Sequence, residues 1–460
     1  MLSILVGHSY FLRFDPKQFQ RAKPYPPLAT LQVAALLRRS GHRVALFDAM
    51  LAEGLDEYAR CLQSQAPQLL IVYEDNFNFL SKMCLGAMRR AACEMIGTAR
   101  ERGARVIVAG SDASDAPDAY LSAGADAVLI GEGHEALGQL VQRLDADPTL
   151  DRAQLVAGVS GVSGPAADGR AAVPARAPAR GSGPQQPDLP AWDLVDMERY
   201  RGAWQGAHGY FSLNMAASRG CPFRCAWCAK PIWGNRYLQR EPDAVAAEMI
   251  HLQRNFAPDH IWFADDIFGF RADWVQAFAR ATRAGGGPVP FTIQTRADLI
   301  TPGMAAALRE AGCQEAWLGA ESGSQRVLDA MNKGVQVAEI HTARARLKAQ
   351  GIRVGFFIQL GYLGEQLEDI LATRDLIDTA CPDDIGISVS YPLPGTAFYE
   401  QVKAQLGAKT HWQDSNDLAM MFQGTYGSDF YRAVRELLHD QVKLQSAWQT
   451  LIAREGECRS

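Results

Sequence analysis

The sequence predicts an α/β protein with two folded domains, a doubly wound parallel sheet followed by a partial (β/α)6 barrel, and a helical tail. Residues 1–144 and 211–390 each alternate short β-rich runs with helical runs, and this alternation is typical of parallel sheets covered on both faces. Residues 157–189 are rich in Gly, Ala, Pro and Arg and have almost no apolar periodicity. The chain of 460 residues is also longer than one ordinary core requires.

The amino-terminal part has five predicted strands. Short apolar and β-branched runs predict strands over residues 3–6, 44–47, 69–73, 106–109 and 127–130. Apolar residues at helical spacing predict helices over residues 28–39, 55–65, 87–102 and 135–143. Ligands on such a sheet bind beyond the carboxyl ends of the strands. We therefore expect a Rossmann-like domain over residues 1–150 and a mobile Pro/Gly/Ala-rich linker over residues 151–190.

The second part has six predicted strands, over residues 211–217, 260–264, 291–295, 315–319, 354–359 and 385–390. Helices are predicted between them over residues 244–255, 273–283, 304–310, 338–350 and 367–380. Repeated β/α units of this length indicate a barrel or partial barrel, whose working face lies at the carboxyl ends of its strands. We expect this domain over residues 191–400 and a helical extension over residues 401–460.

Composition disfavours two classes of partner. The formal net charge of −5 gives no basic field of the kind that holds phosphate backbones. The first residues lack the basic flank and longer apolar stretch of a secretory signal. No apolar run approaches the roughly 20 residues that a membrane-spanning helix needs. The sequence therefore predicts a soluble, cytoplasmic protein that binds neither nucleic acid nor membrane.

Three of the nine cysteines form a compact motif, Cys221, Cys225 and Cys228 in the spacing CxxxCxxC. Directly after a predicted barrel strand, they occupy a loop where a barrel places its chemistry. Three thiolates at this spacing can bind three corners of a cubane 4Fe-4S cluster and leave one iron open to a small molecule. A structural zinc site is the alternative, but it needs a fourth ligand nearby, and no further Cys or His follows before His251.

The other six cysteines are scattered in apolar or helical surroundings, where a free cysteine acts as a small hydrophobic residue. A cytosolic compartment keeps such thiols reduced, so we expect no disulfide framework. These residues are Cys61, Cys84, Cys93, Cys313, Cys381 and Cys458.

From the cysteine motif onward, about residues 211–399, the chain resembles the radical S-adenosylmethionine superfamily. The resemblance implies that the open iron is chelated by the amino and carboxylate groups of S-adenosylmethionine, which is cleaved to a 5'-deoxyadenosyl radical. It also implies an electron donor such as flavodoxin or ferredoxin. Trp227 matches an aromatic position that shields the cluster near the adenine.

Later strand ends agree with the same pattern, although each segment alone is weak, because Asp favours helix caps and turns for local reasons. The resemblance implies that Asp265 and Asp266 contact the methionine amino group, and that Glu321 and Ser322 bind the ribose and the methionine carboxylate. The strand containing Gly355, Ile358 and Gly361 resembles the one that packs against adenine. Gln294 and Arg296 lie at the end of the predicted strand over residues 291–295, and we expect them to contact a cofactor.

The amino-terminal domain resembles the cobalamin-binding domains fused to one branch of this superfamily. That branch includes the anaerobic magnesium-protoporphyrin monomethyl ester cyclase and many cobalamin-dependent methyltransferases. Small residues at strand ends would let a corrin approach the backbone. The alternative is a nucleotide-binding or purely structural unit, but neither GxGxxG nor GxxxxGK[ST] is present. The candidate cobalamin contacts are Tyr73, Glu74, Gly110, Ser111, Asp112, Gly131 and Glu132.

The chain departs from this pattern in two places. The DxHxxG segment that supplies a cobalt ligand in many cobalamin proteins is absent, and the Gly-Gly-Pro-His segment of this branch is replaced by Ala109-Gly110-Ser111-Asp112. His8, His42 and His134 remain, but a lone histidine is more often a solvated residue than a ligand. Residues 73–79 follow the third predicted strand. We expect this segment either to line the lower face of the corrin or to cap a helix.

The function that these features predict is methylation of an unreactive carbon or phosphorus of a small molecule, with methylcobalamin as methyl donor. The alternatives are a cobalamin-dependent radical cyclase or rearrangement enzyme without methyl transfer, and a cobalamin or iron–sulfur sensor without turnover. A methylthiotransferase would need a second cluster on three amino-terminal cysteines, whose usual spacing is absent. We expect residues 391–396 together with His411 and Trp412 either to shape a substrate pocket or to form a turn and a packed helix start.

Overall fold

A computed structural model describes residues 1–165, 171–172, 189–228 and 236–458 of the chain. These residues divide into two compact units. The first comprises residues 1–220, 229–240 and 411–417, and the second comprises residues 221–228, 241–410 and 418–460. The two units are described separately below.

The first unit is built on a parallel sheet. Its strands are β1 (Ser3–Gly7), β2 (Arg43–Phe47), β3 (Leu69–Tyr73), β4 (Arg105–Ala109), β5 (Ala127–Leu129), β6 (Val162–Pro165) and β7 (Ala171–Ala172). They lie in the order β2-β1-β3-β4-β5-β6-β7, with β1 to β5 parallel and β6 and β7 antiparallel to their neighbours. The strand order reverses between β1 and β3, and such a switch point opens a crevice at the carboxyl edge of a parallel sheet.

Helices cover this sheet because their apolar faces have no other place to be buried. The largest apolar contacts join β3 and β4 to α5, where Val72, Val108 and Met95 lie in one core cluster. The helices are α1 (Pro16–Arg21), α2 (Leu28–Arg39), α3 (Leu55–Gln65), α4 (Phe79–Lys82), α5 (Gly86–Glu101), α6 (Ser111–Asp115), α7 (Pro117–Ser122), α8 (His134–Ala146), α9 (Arg152–Val156) and α10 (Met197–His208), with 3-10 turns at Leu12–Phe14 and Trp192–Leu194.

A segment from late in the chain completes this unit. The free N–H groups at the start of α5, those of Gly86 and Ala87, donate to the carbonyls of Trp412 and Gln413 at 2.7 and 3.1 Å. Ser415 donates its hydroxyl to the carboxylate of Asp15. The segment 411–417 therefore satisfies backbone donors that the helix itself leaves without partners. The unit also contains β8 (Ser212–Met215) and the antiparallel pair β9 (Ser218–Gly220) and β10 (Tyr237–Gln239).

The second unit contains five parallel strands that follow one another in chain order. They are β11 (His260–Phe263), β12 (Phe291–Thr295), β13 (Cys313–Glu321), β14 (Arg353–Leu360) and β15 (Asp384–Val389), and each pairs with the next. The helices are α11 (Pro242–Phe256), α12 (Ala272–Ala284), α13 (Pro302–Ala311), α14 (Gln325–Ala330), α15 (Val337–Ala349), α16 (Leu367–Ala380), α17 (Ala397–Val402) and α18 (Ser428–Cys458), with 3-10 turns at Ala297–Leu299 and Lys403–Gln405.

Aromatic packing fixes α12 against β11 and β12. The rings of Phe263 and Phe291 are 5.1 Å apart at 82°, and Phe268 lies 4.5 Å from Phe263. Phe278 of α12 packs edge-on against Phe263 at 5.9 Å. Edge-to-face pairs of this kind are favourable beyond their buried area, so this cluster stabilises the packing of α12 against the end of β11 and the start of β12.

The predicted elements of both domains are present, and most agree within two residues. The first of the six strands predicted for the second domain, residues 211–217, is β8, which belongs to the first unit. The expected linker over residues 151–190 is wrong in part, because Arg152–Val156 form α9 and Val162–Pro165 form β6, which pairs with β5 through its backbone. The rest of that expected mobile segment lies mainly outside the described residues. No described helix meets the length and apolarity that crossing a membrane requires.

Candidate functional site

Residues 221–228, here called the cysteine loop, follow β9 directly. Cys221 is buried, Cys225 and Cys228 are half-buried, and none of the three forms a disulfide. The preceding Gly220 has a φ of 73°, in the left-handed region where a side chain is disfavoured. A glycine at this position therefore permits the turn by which the backbone enters the loop.

Hydrogen bonds from two distant segments hold the cysteine loop in place. The N–H of Ala226 donates to the carbonyl of Met331 at 2.8 Å, and the carbonyl of Ala226 accepts from the N–H of Phe398 at 2.9 Å. Asn332 donates its side-chain amide to the carbonyl of Arg224 at 2.8 Å. The turn after α14 and the start of α17 therefore fix the loop backbone.

Two cations accompany the loop thiols. Nη1 of Arg296 lies 3.8 Å from Sγ of Cys225, and the guanidinium stacks on the ring of Phe223 at 3.7 Å. Burial lowers the pKa of Lys333, but the negative charges of Glu321 and the Cys225 thiolate outweigh burial and raise it above its usual value. Positive charge beside soft sulfur ligands suits an anionic metal–thiolate group.

Among the described residues, no three His, Cys, Asp or Glu side chains are grouped closely enough to hold one metal ion. Elsewhere, burial raises the pKa of Cys84 well above its ordinary value and also raises that of Cys313, so both thiols are protonated at neutral pH. The cysteine loop is therefore the candidate site of thiolate chemistry.

The acidic pair after β11 lies at a strand end, as predicted. Asp265 is fully buried and Asp266 is half-buried. Gln294, on β12, donates its side-chain amide to the backbone carbonyl of Asp265 at 2.6 Å. This bond ties the residues at the ends of two neighbouring strands together and orients the acidic turn.

The segment after β13 is rigid and polar. Glu321 has a φ of 61°, which is uncommon for a residue other than glycine, and its carboxylate accepts from Nζ of Lys333 at 2.7 Å. Ser322 is buried, and its hydroxyl lies 3.1 Å from the hydroxyl of Thr373. A Cβ on Gly319 would lie 2.6 Å from Nζ of Lys333. The glycine thus leaves space for this buried ion pair.

The glycines of β14 have packing partners within the second unit. A Cβ on Gly355 would lie 2.5 Å from the indole of Trp317, and Gly361 has a φ of 73°. Ile358 is buried in the same strand. The strand for which an adenine contact is predicted is β14, which Gly361 follows, and Gly355 lets Trp317 pack closely against it.

In the first unit, polar residues converge at the crevice between β1 and β3. Glu74 is buried and accepts from the N–H and the hydroxyl of Ser9 at 3.1 and 2.6 Å. Burial raises the pKa of Glu74. A Cβ on Gly110 would lie 2.8 Å from Cγ of Glu74, so only glycine allows the end of β4 to approach this side chain.

Two buried polar side chains near this crevice have no hydrogen-bond partner within the described part of the chain. Both amide atoms of Asn76 and the hydroxyl of Ser111 are in this position, and Asn76 is fully buried. Burying an amide without a partner costs about 1–3 kcal/mol. A buried group of this kind therefore calls for a partner outside the chain, such as an ordered water, an ion or a ligand.

The predicted residues after β5 take part in local contacts. The hydroxyl of Tyr73 donates to the carbonyl of Glu132 at 2.7 Å, and the carboxylate of Glu132 pairs with Arg219. The N–H of Gly131 donates to the hydroxyl of Ser114 at 2.9 Å. Burial lowers the pKa of His134 to about 4, so its ring is neutral at pH 7. These contacts stabilise the turn between β5 and α8.

The carboxylate of Asp112 is the centre of a hydrogen-bond network. Its carboxylate accepts from Nε and Nη2 of Arg89 at 2.6 Å each, from the hydroxyl of Tyr120 at 2.7 Å, and lies 3.1 Å from Nε2 of His411. The oxygens of Asp112 are therefore occupied by protein donors. His411 and Trp412 lie in the first unit and contact α5 and Asp112.

The remaining histidines considered as cobalt ligands also have protein partners. Nε2 of His8 lies 3.0 Å from Oδ1 of Asp48 and 3.1 Å from the backbone nitrogen of Ala49. Nδ1 of His42 accepts from the N–H of Leu2 at 3.3 Å. Neither ring is free within the first unit.

Sequence reasoning missed Lys333 and Arg219, and it considered Asn76 only as part of the segment 73–79. The residue types around Lys333 do indicate a turn, because Gly and Asn favour the left-handed backbone conformation. Asn332 and Gly334 adopt this conformation, with φ values of 50° and 63°. The pairing of Arg219 with Glu132 has no such signal, since it joins residues far apart in the chain.

Part of the chain is similar to a known superfamily and to several curated proteins. The sequence model described as "Radical SAM superfamily" matches residues 215–377. An uncharacterized methyltransferase of Pyrococcus horikoshii is 27% identical over 214 residues, which are 46% of this chain and 45% of that protein. An anaerobic magnesium-protoporphyrin IX monomethyl ester cyclase of Cereibacter sphaeroides is 27% identical over 61% of this chain and 45% of its own length. The chain thus spans about half the length of these curated relatives.

A solved structure shares the fold. The radical S-adenosylmethionine methyltransferase TsrM from Kitasatospora setae, determined with cobalamin and a [4Fe-4S] cluster bound, superposes with a TM-score of 0.69 at 20% identity. The match covers 88% of this chain and 79% of TsrM. This likeness confirms the predicted fold class.

Proposed function

We propose, on the premise that residues 215–377 match the radical S-adenosylmethionine superfamily, that the chain is a cobalamin-dependent methyltransferase. The substrate is a small molecule with an unreactive carbon or phosphorus. The observation that carries the proposal is the cysteine loop, whose three cysteines at CxxxCxxC spacing form no disulfide and in which Sγ of Cys225 lies 3.8 Å from the guanidinium of Arg296.

Cys221, Cys225 and Cys228 would hold the cluster in this proposal. Thiolates are the ligands that iron–sulfur clusters require, and three of them leave one iron open. When bound, the cluster supplies the electron that cleaves S-adenosylmethionine, and cobalamin supplies the methyl group. The protein orients these groups and excludes water. Trp227, half-buried against the apolar cluster around Met331 and Phe398, would cover one side of the loop.

We assign the contacts to S-adenosylmethionine to residues at successive strand ends of the second unit. Parallel strands end at one edge of their sheet, which is the edge that carries chemistry in β/α barrels. The buried position of Asp265 and the fixed backbone of Glu321 support this assignment, because both carboxylates are held by the fold. The proposed contacts are Asp265, Asp266, Gln294, Glu321, Ser322, Gly355, Ile358 and Gly361.

The first unit fits a large polar ligand such as cobalamin. Asn76 and Ser111 offer buried donors and acceptors without protein partners, close in sequence to Glu74 and Gly110 at the carboxyl ends of β3 and β4. We assign cobalamin contacts to Tyr73, Glu74, Gly110, Ser111, Gly131 and Glu132, and add Asn76. Asp112 belongs to this set by position, but its oxygens already serve Arg89 and Tyr120.

The proposed organisation is a cobalamin-binding domain over residues 1–150, a linker over residues 151–190, a catalytic domain over residues 191–400 and a helical extension over residues 401–460. We further propose a cytoplasmic enzyme that takes electrons from a flavodoxin or ferredoxin. The formal net charge of −5 supports a partner other than nucleic acid.

The test is anaerobic reconstitution with iron, sulfide and cobalamin, followed by incubation with dithionite and S-adenosylmethionine. The wild-type protein should show cluster and corrin absorption and form S-adenosylhomocysteine when its substrate is present. The Cys225→Ala variant should lose most bound iron, whereas Cys313→Ala, which changes a buried thiol outside the loop, should keep it. Full iron and sulfide content in Cys225→Ala would refute the proposal.

A second candidate is a cobalamin-dependent radical cyclase, favoured by the similarity to the magnesium-protoporphyrin cyclase of Cereibacter sphaeroides. Both candidates bind the same cofactors. Formation of 5'-deoxyadenosine without S-adenosylhomocysteine on turnover would support the cyclase. Formation of neither product, with cluster and corrin bound, would support a sensor.

A further inference from the structure

Arg296 is positioned by contacts that differ from those of a cosubstrate-binding residue. Nε and Nη2 donate to the two carboxylate oxygens of Asp298 at 2.9 Å each, and Nη2 also donates to the carbonyl of Gly334 at 3.3 Å. Nη1 points to Sγ of Cys225 at 3.8 Å. A guanidinium has five N–H groups, and these contacts engage four of them.

The face of the guanidinium is covered as well. The ring of Phe223 lies 3.7 Å from its central carbon, and Arg296 is only 4% exposed. Few groups are left to bind a soluble cosubstrate. The residue is instead fixed between the cysteine loop, through Cys225 and Phe223, and the turn that ends at Gly334.

Charge beside a cluster ligand affects electron transfer. Reduction adds one negative charge to an iron–sulfur cluster, and nearby charges and hydrogen bonds to sulfur are among the factors that set its potential. A buried, permanently charged arginine favours the more negative state, because solvent screens it less than it screens a surface charge. Asp298 partly offsets this effect, since its carboxylate pairs with the same guanidinium.

We propose that Arg296 is a positioning residue that holds Cys225 in place within the cysteine loop and raises the reduction potential of the cluster bound by this loop. The proposal rests on the proposed function, since it requires a cluster on the three cysteines. It assigns Arg296 to the cluster and not to S-adenosylmethionine. The pair Arg296–Asp298 then acts as two charges with opposite effects on the potential.

The test is a redox titration of the reconstituted protein, without S-adenosylmethionine, followed by the EPR signal of the reduced cluster. Arg296→Gln removes the positive charge and should make reduction about tenfold less favourable, a fall of about 59 mV for one electron. Arg296→Lys keeps the charge and should stay closer to wild type. Asp298→Asn removes the opposing charge and should raise the potential.

Two controls separate charge from folding. Arg353→Gln removes an arginine of the same unit whose side chain is 61% exposed and pairs with Glu315, and it should leave the potential unchanged. Asp375→Asn, the matched control for Asp298→Asn, removes a carboxylate of the same unit whose side chain is 61% exposed and pairs with Arg374, and it should likewise leave the potential unchanged. If Arg296→Gln cannot retain a cluster, the potential of Asp298→Asn still tests the proposal, because it should lie above that of the wild type.

The proposal is overturned if Asp298→Asn and every Arg296 variant that holds a cluster titrate at the wild-type potential. Reduced iron content with an unchanged potential would assign Arg296 a purely structural role. Failure of the proposed function looks different, because the wild-type protein would then assemble no cluster at all.

Discussion

Replacing Asp112 by Asn tests whether this residue supports the fold or contacts cobalamin. Burial alone raises the pKa of Asp112, but hydrogen bonds from His411 and Arg89 outweigh burial and hold that pKa at about 2. The difference from the ordinary value of 3.8 corresponds to about 2.5 kcal/mol. Asn cannot ionise, so Asp112→Asn should reduce the free energy of unfolding at pH 7 by about 2–3 kcal/mol.

The sign of the pH dependence follows from the lowered pKa. The folded state favours the ionised carboxylate of Asp112, so its stabilising contribution is complete above about pH 4 and is lost as the pH falls toward 2. The difference between wild type and Asp112→Asn should shrink over the same range. Arg89 is part of the same interaction, so Arg89→Met and the double variant complete a cycle whose coupling energy should be about 1–3 kcal/mol.

The assay is urea unfolding at pH 7, followed by far-UV circular dichroism, with the transition of the first unit analysed separately if two appear. Cobalamin affinity is measured on the same proteins under native conditions. A structural role predicts lower stability with little loss of cobalamin affinity in the protein that remains folded. Unchanged unfolding together with a more than tenfold loss of affinity would refute the structural assignment.

Two further predictions concern the second unit. Burial raises the pKa of Glu365 to about 7 from an ordinary value of 4.5, so the folded state holds a proton between these values and stability falls as the pH rises through them. The free energy of unfolding of Glu365→Gln, measured with urea, should therefore equal that of the wild type at pH 5 and exceed it by up to about 3 kcal/mol at pH 8. A difference that does not change with pH would contradict this expectation. Gly319→Ala should lower stability by about 1–3 kcal/mol, because its Cβ would displace the ion pair of Lys333 and Glu321. The matched change Gly303→Ala, in open space on α13, should not lower the melting temperature.

Long periodic elements were predictable because their side-chain pattern reports which face is buried. Leu28–Arg39, Leu55–Gln65, Leu69–Tyr73 and Leu367–Ala380 begin and end as predicted. Strand β6 was not predictable, since Val162–Pro165 has little apolar pattern and pairs with β5 through its backbone. Backbone pairing at a sheet edge depends on a neighbour that local sequence does not contain.

The candidate site also contains features that the local sequence predicts and features that it does not. The cysteine loop is evident from spacing alone, because its three cysteines lie within eight residues. The contact of Arg296 with Cys225 spans 71 positions and that of His411 with Asp112 spans 299, so neither has a local signature. Short-range chemistry was therefore predictable, whereas the charges and hydrogen bonds that tune it required the folded chain.

The late segment that completes the first unit has a consequence for biosynthesis. The start of α5 donates to the carbonyls of Trp412 and Gln413, yet these residues leave the ribosome more than 300 positions after the helix does. Domains generally fold as units during translation, amino-terminal first. Here the nascent amino-terminal sheet must wait for most of the protein to be made before α5 acquires its final partners, and a fragment ending at residue 220 would emerge with that helix end uncapped.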